Sequence, residues 1–325
     1  MSRLAAKVLG KVGLAATQLR PDRGAPVILM YHGVTELPRQ GLIDFSGKHV
    51  RLELFRDQVR MLADRRRIVP LRQLVQELRA GADVRGMVSL TFDDGYLNNV
   101  ECAAPALLEH GLTGTFFLAT GFIGQNRWAW TDRLEAAIDA APGGERELSG
   151  GIGMVRLDGR QSRIDTLRAI KSRLKQLPWR EAEARVSEVS ASLGVSIGSP
   201  AGLYRFMDWN GARWLAAHGF DVGAHTVNHA ILSRVSVRDA EEEIYASQDR
   251  IVAETGGCNP VFCYPNGKFS DFTPDVIEVC KKRFVAALAA EYGAAHASEL
   301  FALRRVPVDD RTSVSRLASM IAQSG

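Results

Sequence analysis

Val88-Ser-Leu-Thr-Phe-Asp-Asp-Gly95 is the stretch on which the fold turns. Its β-forming run, Val88 to Phe92, reads as a buried strand, and two carboxylates and a glycine stop it in a turn at a polar place. Adjacent carboxylates at the mouth of a core repel each other and lose hydration. A cation is the natural partner for such a pair, so the other strand ends are where its remaining ligands should lie.

Outward from this stretch, Val27–Tyr31 reads as a second buried strand, which follows a linker at Arg20–Pro26 and ends at His32-Gly33. Phe220–Ala224 ends at His225, and Val261–Tyr264 closes on Pro265-Asn266-Gly267. Ile68-Val69, Thr113–Ala119, Phe284–Leu288 and Arg305–Val308 complete seven or eight strands. Helical spacing separates them at Leu52–Arg65, Leu71–Arg79, Ala103–His110 and Val237–Glu254. A helix over Asn210–His218 is capped by Asp208, and Thr273-Pro274 opens another. Pro38–Lys48 has no period and reads as loop. This alternation predicts an α/β fold with a parallel sheet, open or closed into a barrel, with ligands at the carboxyl ends of the strands.

The alternation breaks between about residues 125 and 204, where helical patterns include Asp132–Ala140 behind a Thr131 cap and a polar stretch from Ser162 to Leu193. We expect a helical insertion on one barrel spanning residues 27–325, not a second enzyme domain.

With 46% hydrophobic and 24% charged residues in 325, the composition is that of an ordinary globular protein. The net charge of +4 comes from interspersed Lys, Arg, Asp and Glu, which suits solvated helix faces and argues against a nucleic-acid groove. Cys102, Cys258, Cys263 and Cys280 make no C-x-x-C pair and read as reduced, buried thiols, with a Cys258–Cys263 disulfide as the alternative. No apolar run reaches the roughly 18 residues of a membrane span. In residues 1–19, Arg3, Lys7, Lys11 and Gln18 fall on one helical arc and Leu4, Val8, Val12, Ala15 and Leu19 on another. Lys7 and Lys11 interrupt what a signal peptide would keep apolar. Residues 1–26 therefore read as an amphipathic helix and linker, packed on the domain or lying on an anionic membrane surface. The second alternative places the protein in the cytoplasm, peripheral to the inner face of the membrane. Oligomeric state is left open.

His225-Thr-Val-Asn-His229 puts two imidazoles four residues apart, on one face if the segment coils into a helical turn. With an Asp from another strand end they make three protein ligands with positions open for water and substrate.

The segments Thr91-Phe-Asp-Asp-Gly95, His225-Thr-x-x-His229 and Tyr264-Pro-x-Gly267 resemble, in this order, the signature segments of the polysaccharide deacetylases, the NodB-homology or carbohydrate esterase 4 family. The resemblance covers about Val27–Gly124 and Asp208–Val308. It implies a distorted (β/α)7 barrel and metal-dependent removal of N-acetyl or O-acetyl groups from carbohydrates. The implied metal is a divalent ion, zinc first, with Co2+, Ni2+ or Fe2+ as alternatives. By the same resemblance Asp94, His225 and His229 are the metal ligands and Asp93 the general base. The chemistry agrees, because a bound cation polarises an amide carbonyl and acidifies the water bound to it, and a neighbouring carboxylate can take that water's proton. The family's oxyanion donor, a main-chain N–H, falls at Asn266. The general acid that many members carry near the C-terminus has no histidine here. A circularly permuted subset supplies it from an N-terminal strand, and Met30-Tyr-His-Gly-Val34 resembles that version, which makes His32 the candidate.

One departure concerns the base. Where many members carry an arginine that orients it, this chain has Cys263, and Arg304 or Arg305 is the candidate substitute. The implied substrate is an acylated amino-sugar polymer or a glycolipid. The insertion could roof it, with Trp128 and Trp130 as stacking faces or as anchors of the insertion. Two rivals share these residues: a non-haem iron oxygenase with the same ligands, and a catalytically silent carbohydrate-binding barrel.

Overall fold

A computed structural model describes residues 23–324. The amphipathic helix expected over residues 1–19 lies outside the described residues. Parallel strands β1 (Val27–Tyr31), β2 (Met87–Phe92), β3 (Thr115–Leu118) and β4 (Asp221–Ala224) lie side by side, with β7 (Val306–Pro307) on the other edge of β1. β5 (Val261–Cys263) and β6 (Ala286–Leu288) form a separate parallel pair. At one seam the Asn259 N–H donates to Val222 O at 2.7 Å. At the other, Leu303 exchanges backbone hydrogen bonds with Ala287 and Ala289 just before β7. Seven staves thus follow in chain order around the ring, and the ladder is interrupted at two seams. This is the distorted (β/α)7 barrel that the family resemblance implies.

Burial on both faces explains the unbroken apolar runs, because a stave covered by helices outside and packed inside has no solvent face to make polar. All six residues of β2 are buried. Tyr31, Phe92 and Phe116 stack across three neighbouring staves, with centroids 5.4 and 4.7 Å apart. The outer helices are stopped and started by local chemistry. Asp208 caps Trp209–Ala217 by accepting from Gly211 N, and Thr273 caps Pro274–Lys281 by accepting from Val276 N.

The insertion differs from its sequence expectation in three ways. Helix α1 (Trp130–Ala140) begins before Thr131, with no side-chain cap. The stretch Ser162–Leu193 is two helices, α2 (Arg160–Leu174) and α3 (Trp179–Ser192), parted at Pro178; a proline cannot donate to continue α2 but suits the start of α3. Between α1 and α2, Glu145–Leu148 and Gly153–Arg156 form an antiparallel hairpin, so the insertion is not wholly helical. Gly150 and Gly151, with φ of 74° and 73°, make its turn. A core of its own, including Leu134, Ile138, Leu167 and Val186, is completed by Leu42 and Phe45 from the loop over residues 38–48. Short strands Gly33–Thr35 and His49–Arg51 flank that loop and were not expected.

All four cysteines are free, Cys263 and Cys280 buried and Cys102 and Cys258 half-buried. No helix among the described residues is long and apolar enough to cross a membrane.

Candidate active site

Beyond Phe92 the chain turns on Asp94 and Gly95, with φ of 76° and 91°. At that φ a side chain on Gly95 is strained, and its Cβ would also crowd Ile123 Cδ1 at 2.8 Å. The turn sends the two carboxylates to different partners. Asp93 is 3% exposed and meets the buried Arg305 in a bidentate pair, Nη1 to Oδ1 and Nη2 to Oδ2 both at 2.9 Å. Arg305 is held in turn by donating to Ala289 O at 2.8 Å and Thr91 Oγ1 at 3.2 Å. Of the two candidate substitutes, then, Arg305 takes the position opposite Asp93, while Arg304 pairs with Glu299. Cys263 adds a weak thiol contact, Sγ to Asp93 Oδ1 at 3.5 Å. The ground for a silent barrel, a base without its arginine, is absent.

Asp94 faces the histidines. Its Oδ1 lies 3.5 Å from His225 Nε2 and 3.2 Å from His229 Nε2, and it is buried without a hydrogen-bond partner among the described residues. Three lone-pair donors therefore converge on one point. His225 is set for this by donating Nδ1–H to Cys263 O at 2.8 Å, which fixes the tautomer that leaves Nε2 free to ligate. Asp93, His225 and Cys263 also cluster closely enough to hold an ion. Both oxygens of Asp93 are already engaged by Arg305, which favours the Asp94 set.

The histidine spacing is not realised by a helical turn. Thr226 and His229 have φ of 63° and 54°, and the loop between them is held by Glu243, which accepts from Val227 N, Asn228 N and Asn228 Nδ2 at 2.7–2.9 Å. The imidazoles meet because a left-handed turn, not a helix, doubles the chain back.

The electrostatics favour positive charge at this point. Burial pushes Asp94 up, but His229 and His225 outweigh it and hold the carboxyl well below its ordinary value. Burial pushes His225 down, yet the neighbouring Cys263, Asp94 and Asp93 raise it well above the imidazole range. Asp93 is likewise raised by burial and brought below the ordinary value by Arg305 and His225. His32 is lowered by burial, against the pull of Asp94 and Asp93.

His32, Asp93, Asp94, His225, His229 and Asn266 all line one cavity of about 310 Å³. The sequence-selected residues are thus brought together. Asn266 has φ 60°, and its main-chain N–H makes no hydrogen bond among the described residues. Its side chain bridges Lys175 and Asp271. Of the two tryptophans, Trp130 lines the cavity, while Trp128 anchors the insertion by donating to Gly198 O and packing on Tyr204.

The charged wall of the cavity escaped sequence reasoning. Lys48 pairs with Asp132 at 2.7 Å, and Tyr96 donates to the other oxygen of Asp132 at 2.7 Å. Lys171 pairs with Glu135 at 3.2 Å, and Lys175 stands beside it. The one available signal was the i,i+4 repeat of Lys171 and Lys175, which reads equally as a solvated helix face.

The family model described as polysaccharide deacetylase matches residues 80–285. No curated protein matches the sequence. Among solved structures, a Streptococcus pyogenes deacetylase, PplD, in complex with acetate is similar at 15% identity and TM-score 0.60, over 91% of this chain and 98% of that one. IcaB from Ammonifex degensii is similar at 17% identity and TM-score 0.60, over 92% and 97%. A Bacillus cereus polysaccharide deacetylase, BC0361, is similar at 17% identity and TM-score 0.56, over 91% and 69%. These likenesses bear on the fold. His32 and Arg305 lie outside the span that the family model covers. That span takes in more than half of the chain, with Asp93, Asp94, His225, His229 and Asn266 inside it, and the chain therefore belongs to the polysaccharide deacetylase family and is a carbohydrate deacetylase.

Proposed function

We propose that the cavity removes an N-acyl group, acetyl foremost, from an amino sugar within a polysaccharide or glycolipid, and that it does so with a divalent cation, zinc first. The observation that carries this reading is the convergence of Asp94 Oδ1, His225 Nε2 and His229 Nε2 beside a carboxylate that Arg305 withholds from the ligand set. The unpartnered, buried Asp94 oxygen and the tautomer of His225 fit such an ion.

A divalent cation at these ligands supplies polarisation of the acyl carbonyl and a lowered pKa for water at its open positions. Asp93 takes the proton of the attacking water as general base, with Arg305 fixing the plane of its carboxylate. Oδ2 keeps a lone pair beyond the one that Arg305 uses, whereas Oδ1 also meets the Cys263 thiol. The Asn266 main-chain N–H donates to the oxygen that becomes negative on attack. His32 gives a proton to the departing amine, which otherwise re-forms the amide.

The test is acyl release from a panel of amino-sugar oligomers and glycolipids under nitrogen, with metal analysis. Asp93→Asn keeps its metal and loses turnover by about three orders of magnitude or more. A mutant with near-normal turnover refutes the base, and activity that requires oxygen and a keto acid refutes the hydrolase.

A further inference from the structure

The insertion does more than roof the cavity. Its carboxylates and cations can be paired off one by one. Arg305 holds Asp93, Lys48 holds Asp132, Lys171 holds Glu135, and Asp94 faces the two histidines. Lys175 is left over. It closes the C-terminal end of α2, lines the cavity, and makes no ion pair among the described residues. Its Nζ donates to Asn266 Oδ1, which aims the ammonium at the cavity from beside the proposed oxyanion donor. Asp271 lies behind the Asn266 amide, where its carboxylate accepts from Asn266 Nδ2 and Lys268 N and is not part of the cavity wall. Lys171, one helical turn earlier, lines the same wall with its charge already met by Glu135.

We propose that Lys175 is a subsite for an anionic substituent of the substrate, a carboxylate or a phosphate ester carried next to the acylated sugar. The inference rests on the reading of this cavity as the deacetylation site. A neutral glycan would leave a half-buried ammonium with only an amide oxygen as partner, whereas an anion would complete it with a charge-assisted hydrogen bond. Burial, with Lys171 nearby, pushes Lys175 below the ordinary lysine value against the opposing pull of Asp271, and an arriving anion would relieve that cost.

The experiment titrates metal-loaded protein with three deacylated sugars that share the same free amine, so that nothing turns over: a glucosamine disaccharide without an acid group, the same disaccharide with a uronic acid as neighbour, and glucosamine 1-phosphate. The expected result is that one of the acid-bearing sugars binds at least about tenfold tighter than the sugar without an acid group, equivalent to roughly 1.4 kcal/mol. Lys175→Gln removes that preference and Lys175→Arg keeps it. The anion that gains identifies the source of the charge. No gain for either anion, or a gain that survives in Lys175→Gln, overturns the proposal. If Lys175→Gln does not fold, wild-type titrations across ionic strength decide: a preference that shrinks with salt supports the subsite, and an unchanged one overturns it. Failure of the wild type to release acyl groups would count against the proposed reaction and would leave this binding result to stand by itself.

Discussion

Replacing Arg305 by glutamine removes both charge-assisted hydrogen bonds from Asp93 and leaves that carboxylate, 3% exposed, with only the Cys263 thiol at 3.5 Å. Losing one partner of a buried ion pair costs about 3–5 kcal/mol. Asp93 has one escape, which is to take up a proton. Moving an ordinary aspartate from its pKa near 3.9 to neutral at pH 7 costs about 1.36 kcal/mol for each of roughly three pH units, or about 4 kcal/mol. The loss in Arg305→Gln is therefore about 3–4 kcal/mol at pH 7, measured by urea unfolding of chelator-treated protein.

The pH dependence has a definite sign. Asp93 in the folded wild type lies below its ordinary value, so the pair's stabilisation is present above about pH 4 and is lost as pH falls through the folded value. In the variant Asp93 is raised, and its penalty fades as acid protonates it. The stability gap narrows from pH 7 toward pH 4. In the metal-loaded enzyme the acidic limb of kcat/KM moves up by about one to three pH units, because the base must be ionised to act. A variant within about 1 kcal/mol of wild type at pH 7, with an unmoved acidic limb, refutes the pairing of Arg305 with the base.

His225→Ala and His229→Ala should each lower metal occupancy by about tenfold or more, read by elemental analysis after dialysis, and unchanged content in both is decisive against the site. His32→Ala should retain metal, slow turnover by about 10²–10⁴-fold and abolish the alkaline limb of the pH profile. Because burial lowers His32 and an acid must be protonated to act, that limb in the wild type should lie below the ordinary imidazole value of about 6.5; an unchanged profile marks a structural histidine. Cys263→Ala should change kcat/KM by less than about threefold and stability by about 1 kcal/mol, since its thiol contact is long and its carbonyl, which orients His225, survives.

The site was legible where polarity interrupts an apolar run. His32, Asp93-Asp94, His225 and Asn266 each follow a buried strand, and parallel staves bring their carboxyl ends to one rim whatever the sequence distance between them. Arg305 could be narrowed to a pair of neighbours and no further, because which side chain enters the barrel depends on the register of β7 against β1, a contact set 212 residues away from Asp93. The hairpin of the insertion was missed because Glu145-Arg-Glu-Leu148 carries none of the branched or aromatic residues that mark a strand. The cavity wall was invisible for another reason. Asp132, Glu135, Lys171 and Lys175 look like the wet face of ordinary helices, and only the docking of the insertion's own core onto Leu42 and Phe45 turns that face toward Asp94, His225 and His229.

Five non-glycine residues among those described have positive φ, and four of them, Asp94, Thr226, His229 and Asn266, sit at this rim. Each holds a left-handed backbone at a cost of roughly 1–2 kcal/mol, met by the strands that anchor the turns on either side. The shape of the rim is thus inherited from the staves and owes little to which side chains it displays. Such a rim is a socket whose contents can be exchanged during descent. Asn and Asp adopt this backbone readily, so polar replacements at Asp94 or Asn266 are open to drift, while a β-branched residue holds it at a higher cost, as Thr226 does. A lineage built on this barrel can change what it holds at the rim far more easily than it can change where the rim lies.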